Sequence, residues 1–370
     1  MDNEKFAMLA LSLTRGIGVA RILRAIRLTG NAEDLLKLKE SGLRECRFGK
    51  EACLSLVSGE SEQQAEEALR TAAEKGIQII GLNEKEYPEL LREIFDPPLI
   101  LYAAGNTEVL KIPSVAIVGA RKCTVYGEQV TAYMARELAE MKLCIVSGMA
   151  RGIDSQAHLG ALKSGGSTVA VLGTGADVPY PGENRKLYRR IRETGCVLSE
   201  FPLGAYPAPQ NFPVRNRIIS GLSWGTLITE AAEFSGSLIT ARLTLEQNRE
   251  LWAIPGNITN GKSYGPNYLI KQGARPLLNP AEIVDNLPAH VLRELCFKQA
   301  DEEPAQEGLA ELSSDEKKVM KLLSPDRLTD MDRLVAGTGF SWPRLSGILL
   351  QLETRGVIRR MPGNHYCKCL

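Results

Sequence analysis

Six short apolar runs, each closing on a small or polar residue or on proline, recur between residues 115 and 255. They are Val115-Ala116-Ile117-Val118-Gly119, Leu143-Cys144-Ile145-Val146-Ser147-Gly148, Thr168-Val169-Ala170-Val171-Leu172-Gly173, Val197-Leu198-Ser199-Glu200, Thr226-Leu227-Ile228-Thr229-Glu230 and Leu251-Trp252-Ala253-Ile254-Pro255. Runs this short, without polar alternation, suit strands buried on both faces. Helical stretches such as 127–141 separate them. Repeated units of this length predict an α/β fold: a doubly wound parallel sheet with helices on both faces. Gly119, Ser147, Gly173, Glu200 and Glu230 would then line the carboxyl edge, where open α/β sheets bind ligands.

At 370 residues the chain is long enough for two or three domains. Residues 1–70 read as helical, with Leu9, Leu13, Ile17, Ile22 and Ile26 near helical spacing. The α/β part is expected over 71–288, and an acidic linker over 289–312. That linker is read from Asp301-Glu302-Glu303-Pro304-Ala305-Gln306-Glu307-Gly308, which holds no basic residue. A last helical module fills 313–370. Met1-Asp2-Asn3-Glu4-Lys5 lacks a secretory pattern, and no apolar run approaches the ~18 residues of a membrane helix. The eight cysteines form no C-x-x-C pair, which favours reduced thiols in a cytoplasmic protein over disulfides or zinc. Cys367-Lys368-Cys369 could hold a metal, but a frayed terminus is the simpler reading, and no metal site is expected. A net charge of +1 offers nothing to a polyanion as a whole. Any nucleic-acid binding needs charge focused in one place.

Such focusing is visible at the carboxyl edge. Gly119-Ala120-Arg121 is not G-x-G-x-x-G, and the next run ends in Ser147-Gly148 where a ribose-binding acid would stand. A dinucleotide is therefore not expected, and neither is any other cofactor. Arg121, just past a strand-end glycine, points instead to phosphate, since guanidinium is a planar fork of donors. The alternative is a surface arginine paired to an acid. Ser147-Gly148-Met149-Ala150-Arg151-Gly152-Ile153-Asp154 lets backbone N–H groups approach an anion. Phe234-Ser235-Gly236-Ser237-Leu238 repeats the device, with Ser237 as a helix cap and phosphate ligand. Arg185, Lys186, Arg189, Arg190 and Arg192 face one acid, Glu183, and Arg215-Asn216-Arg217 adds two cations.

Catalysis finds less support. His158, His290 and His365 are scattered, and no H-E-x-x-H is present. Asp154 lies one turn before His158 and either bonds it or caps the helix while the ring packs beneath. Glu200 and Glu230 read as an acid pair or as partners for Arg215 or Arg217. No catalytic residue is assigned, and the chain is expected not to be an enzyme.

These residues closely resemble the DprA (Smf) family of DNA-processing proteins. The likeness runs in order over some 140 residues, from Val115–Arg121 through Ser147-Gly148-x-Ala150-x-Gly152-Ile153-Asp154-x-x-Ala157-His158 and Gly173-Thr174-Gly175. It continues in Tyr180-Pro181-x-x-Asn184, Ser199-Glu200, Phe212-Pro213-x-Arg215-Asn216-Arg217-Ile218-Ile219, Ser235-Gly236-Ser237-Leu238-Ile239-Thr240 and Ala253-Ile254-Pro255-Gly256-Asn257. The resemblance implies an extended Rossmann-like domain, single-stranded DNA binding, homodimerisation and RecA recombinase loading in natural transformation and recombination. A single-strand-binding protein is a further candidate partner. By that likeness a Gly-x-Arg pocket falls on Gly119 and Arg121, and a basic Asn-x-x-Leu position on Arg185, where members often carry lysine. The DNA-contact set is then Gly119, Arg121, Ser147, Gly148, Arg185, Arg215, Asn216, Arg217 and Ser237.

The flanks resemble the family more weakly. Thr14-Arg15-Gly16-Ile17-Gly18-Val19-Ala20 is similar to helix-hairpin-helix and SAM-like modules. Trp342, Leu345, Ile348, Leu349 and Leu352 lay an apolar core stripe on a helix, and Val357–Tyr366 reads as a hairpin wing. That is a winged helix, with Arg344, Arg355, Arg359 and Arg360 free to meet DNA or the module free to meet protein. An enzyme reading survives in Gly225-Thr226-x-x-x-Glu230, similar to phosphoribohydrolases, but their Pro-Gly-Gly run is replaced by Ile219-Ser220-Gly221.

Overall fold

The structure is a computed structural model that describes residues 3–292, 295, 312–323, 329–355, 357–361 and 365–368. The chain divides into two compact units, Met1–Asp301 and Glu302–Leu370. All six apolar runs form strands. In chain order the first unit has β1 (Ile77–Gly81), β2 (Ile100–Gly105), β3 (Ser114–Val118), β4 (Cys144–Ser147), β5 (Thr168–Val171), β6 (Cys196–Ser199), β7 (Gly225–Ile228), β8 (Glu250–Ala253) and β9 (Arg275–Pro276). They make one nine-stranded sheet in the order β1-β2-β6-β5-β4-β3-β7-β8-β9.

From β6 to β9 neighbouring strands are parallel. The stretch β5-β4-β3-β7-β8-β9 has the 3-2-1-4-5-6 order of a Rossmann sheet. The chain builds outward from β3 to β6, then returns to place β7 on the other side of β3. That return makes a topological switch point between β3 and β7. The expected all-parallel sheet needs one amendment, because β1 and β2 are antiparallel to each other and β2 to β6. They extend the sheet beyond β6.

The strands from β3 to β7 are wholly buried, which is why they carry Val, Ile, Leu and Ala without alternation. One helix face packs on each side of them. Leu138 and Ala157 sit in one apolar cluster with Ile117, while Ile191, Ile218 and Leu198 sit in another. The N-terminal helices include Asn3–Leu13, Val19–Thr29 and Glu60–Glu74. The boundary expected near residue 70 falls inside the last of these. At the other end, residues 289–292 are helical and Val291 is buried in the core, so the linker does not begin at 289. Asp301–Gly308 lies outside the described residues.

The second unit has helices Ser314–Leu322, Met331–Thr338 and Trp342–Thr354, and a small sheet of Thr329–Asp330, His365–Lys368 and Ile358–Met361 in that order. This is the winged helix. Leu345, Ile348, Leu349 and Leu352 are buried as expected, whereas Trp342 is half exposed and leaves the core stripe. Arg344 pairs with Asp315 and Arg355 with Glu316, so neither is a free cation. The side chains of Arg359 and Arg360, like those of Cys367 and Cys369, lie outside the described residues.

Candidate functional site

An opening of about 850 Å³ lies at the carboxyl edge across the β3/β7 switch point. The loop after β3 supplies Arg121 and Lys122, and the loop after β7 supplies Phe234, Ser235 and Ser237. Helix Asn211–Gly221 adds Phe212, Arg215 and Asn216 from one side. Tyr180 and Lys262 complete the rim.

Arg121 is exposed rather than sheltered by the sheet, and among the described residues it has no ion-pair partner. Its guanidinium carbon lies 5.5 Å from the centroid of the Phe212 ring. Tyr180 stands 5.5 Å from the same ring, tilted by 37°. Arg215 approaches it as well, at 6.0 Å. Cations over an aromatic face are held electrostatically while leaving their N–H donors free. Phe234 is almost fully exposed at the opposite lip. This combination of unpaired cation and open rings is suited to phosphates and bases side by side.

The loop carrying Arg121 is braced from behind. Thr124 caps helix Val125–Glu140 by accepting from the Gly127 N–H. Glu230 in turn accepts from Thr124 N at 2.9 Å and from Thr124 Oγ1 at 2.6 Å. Glu230 is buried, so its expected role as partner for Arg215 or Arg217 is replaced by that of a loop brace.

Several expected ligand groups turn out to serve the fold. Arg215 is buried, donates to the carbonyls of Gly148 (2.8 Å) and Val171, and has its pKa pushed down to about 10 by burial, with Arg121 adding to the effect. A Cβ on Gly148 would stand 2.6 Å from the Arg215 guanidinium, so this glycine makes room for an arginine rather than for phosphate. Asp154 occupies the anion position that the small-residue loop was expected to offer. The N–H groups of Ala150, Gly119 and Gly148 point at its carboxylate; burial raises its pKa and the charge of Arg215 opposes this. Gly119 itself is pressed against Ile153 and the Glu230 carbonyl, where a Cβ would approach to 2.7 and 2.8 Å. Ser147 is fully buried and donates to the Ile117 carbonyl at 2.7 Å.

Arg217 faces away from the opening. Two residues apart on a helix means roughly 200° around it, so Arg215 and Arg217 cannot converge on one ligand. Arg217 donates to Glu200 Oε1 and Oε2 at 2.7 and 2.6 Å and to Asp96 Oδ2 at 3.0 Å. The phosphate role expected for it is corrected to a buried ion pair. Asn216 does line the opening, with its amide near the Gly236 carbonyl at 3.5 Å. Ser237 also lines it, but Gly236 is the cap of the helix and Ser237 Oγ lies 2.8 Å from Ser235 Oγ. Arg185 is exposed at the start of helix Arg185–Thr194, in a separate hollow of about 490 Å³ with Arg189 and Arg192. It does not share the Arg121 opening.

His158 is no acid–base group. Its Nδ1 lies 2.7 Å from Thr168 Oγ1, not against Asp154, and Thr168 Oγ1 donates onward to the Ile145 carbonyl at 2.7 Å. The hydroxyl proton is thus spent, so Nδ1 carries the ring proton and Nε2 has no partner. Burial, helped by the charge of Arg215, holds the pKa down to about 3. The unfolded chain therefore binds a proton near pH 6.5 that the folded chain refuses. Stability is complete above about pH 6.5 and falls toward pH 3, with a slope approaching about 1.4 kcal/mol per pH unit from this group. Urea midpoints measured from pH 7 to pH 4 should drop more for the parent than for His158→Gln; equal slopes would sink this assignment.

Phe212, Tyr180, Phe234, Lys122 and Lys262 were not singled out by sequence reasoning as site residues. The spacing of Phe212 one turn before Arg215 was the available signal.

Comparison with known proteins adds an independent line. The family model for DNA recombination-mediator protein A matches residues 78–288, and the DprA winged-helix model matches residues 303–364. Protein Smf of a Synechocystis species is 32% identical over 394 aligned positions, covering 99% of each chain. Protein Smf of Escherichia coli is 39% identical, covering 78% of this chain and 76% of its own. Among solved structures, DNA processing protein A from Streptococcus pneumoniae superposes with a TM-score of 0.69 at 35% identity, covering 78% of this chain and 99% of its own. DNA processing protein A from Helicobacter pylori, described for its single-stranded DNA binding mode, gives a TM-score of 0.51 at 31% identity, over 61% and 96% of the two chains.

Proposed function

The chain belongs to the DNA recombination-mediator protein A (DprA/Smf) family, and from this we propose that it binds single-stranded DNA in the switch-point cleft and presents the strand to RecA. The observation that carries the reading is Arg121, exposed, without an ion-pair partner among the described residues, and laid over the Phe212 ring. Phosphates would meet Arg121, Lys122 and Lys262, with Asn216, Ser235 and Ser237 as neutral donors. Bases would stack on Phe212, Tyr180 and Phe234. Gly119, Ser147, Gly148 and Arg215 hold this surface in place from beneath, while Arg217 is tied to Glu200 and Asp96 on the other side of its helix. Arg185 would hold a neighbouring stretch of the same strand. The protein acts by binding rather than by catalysis, as a cytoplasmic homodimer, with a single-strand-binding protein as a further partner. The winged helix is a separate module in this scheme, joined through an acidic linker.

Phosphate contacts release counterions, so log affinity should fall linearly with log salt. Fluorescence anisotropy with labelled oligonucleotides should show single strands preferred over duplex by the cleft, and a steep salt slope. A flat salt response would sink the basic cleft. Deleting residues 313–370 should leave most single-strand affinity in place, because Arg121, Phe212 and the other proposed contacts all belong to the first unit. Near-total loss in a folded truncation would move the site to the winged helix.

A further inference from the structure

The N-terminal helix Val19–Thr29 has the sequence VARILRAIRLT, with three arginines, no acid and no aromatic residue. Ile22 and Ala25 are buried against the rest of the helical part. Arg21, Arg24 and Arg27 are exposed. Steps of three residues carry them across a sector of about 120° on the side away from Ile22. Their spacing along the axis is about 4.5 Å per step.

Three cations so arranged repel one another, and a fold normally answers with nearby carboxylates. None does so here: among the described residues no ion pair involves these arginines. Acids on either side of the helix in the chain are engaged elsewhere. Glu33 pairs with Lys37, Asp34 binds the Asn31 amide at 2.8 Å, and Glu4 accepts from the backbone of Ala32 and Glu33. The row of charge is left for something outside the chain.

We infer that Arg21, Arg24 and Arg27 form a docking face for the phosphate backbone of duplex DNA, separate from the single-strand cleft. Guanidinium is the side chain best matched to phosphate oxygens, and a rigid helical row suits a backbone that is itself rigid. Single-strand surfaces add aromatic rings on which unpaired bases stack. The cleft has such rings and this helix has none, so its contacts stop at phosphate and read no sequence. A protein with both surfaces would hold the duplex side and the single-stranded side of one junction. The inference goes beyond the cleft reading and does not need it to hold.

The test uses the full chain with Arg21, Arg24 and Arg27 all changed to Gln, beside the corresponding triple Lys variant. Probes are a blunt duplex, a single strand of equal length, and a duplex with a single-stranded tail. The Gln variant should lose roughly tenfold or more in duplex affinity, and its salt slope on duplex should fall by about one per arginine removed. The Lys variant, keeping the charge, should retain most of the slope. Single-strand affinity should stay within about twofold, and the tailed duplex should lose its advantage over the single strand. Unchanged duplex binding would overturn the inference. Equal losses on duplex and single strand would overturn it too, by making the helix part of the cleft's own path. Loss of binding to anionic vesicles, with duplex binding intact, would assign the face to lipid instead. Arg121→Ala run in parallel reports on the cleft alone: intact single-strand binding there would sink the cleft while leaving the duplex result standing.

Discussion

Arg121→Ala should weaken single-stranded DNA binding by about tenfold to a hundredfold, from the 1.5–3 kcal/mol typical of hydrogen bonds to charged groups. The exposure of Arg121 places the expected loss toward the lower end, because water screens a charge that the sheet does not enclose. Phe212→Ala should cost a comparable amount, since one stacked base is worth about 1–3 kcal/mol. The two losses should not add. The guanidinium lies 5.5 Å from the Phe212 centroid, so removing the ring also frees the arginine it positions. A double-mutant cycle by anisotropy should therefore give a coupling of about 0.5 kcal/mol or more. The loss should hardly vary with DNA sequence, because phosphate contacts position a strand without reading it. Arg344→Ala serves as the comparison. Arg344 is already paired with Asp315 and laid 4.8 Å from the Phe340 ring, within the winged helix. Full affinity in Arg121→Ala, with Arg344→Ala impaired, would put the site on the other unit.

The sheet was legible because burial on both faces leaves a plain mark: unbroken runs such as Val115–Val118 are costly to expose to water. Its edge was not. Ile77–Gly81 exposes Gln78 and Ile100–Gly105 ends exposed, yet neither pattern carries strand direction. Antiparallel pairing there follows from how the chain returns, which composition does not record. Arg121 could be picked out because a cation two residues past a strand-end glycine sits at the mouth of the sheet. Arg215 and Arg217 looked equivalent to it only while their positions around a helix were ignored. The Gly-rich stretch from Ser147 to Gly152 does form an anion cradle. The chain then fills that cradle with its own Asp154, a residue visible at the end of the same stretch. The aromatic half of the site was harder to see, since Tyr180, Phe212 and Phe234 come from three distant segments.

Arg217→Met should destabilise the first unit by about 3–5 kcal/mol, the range for removing one partner of a buried ion pair. That is a large share of the 5–15 kcal/mol typical of a folded domain. Burial alone would lower the pKa of Arg217, but Glu200 and Asp96 outweigh it and hold the pKa above its ordinary value. The two partners are not equal. The Glu200 side chain is 10% exposed and that of Asp96 is 41% exposed, so Asp96 can turn to water and Glu200 cannot. The loss therefore comes chiefly from a carboxylate stranded in the interior. Two consequences separate this from a general loss of packing. A second change, Glu200→Gln, should return part of the stability, since an amide costs less to bury than an unpaired charge. The Arg217→Met protein should also lose less on acidification than the parent. The carboxylate left without its cation is a buried charge that acid neutralises, so acidification relieves a cost in the variant that the parent does not carry. Urea unfolding at neutral and mildly acid pH measures both. Single-strand affinity, read where Arg217→Met is still folded, should stay within about twofold of the parent. A tenfold loss of affinity with unchanged stability would return Arg217 to the DNA surface and undo its assignment as a buried pair.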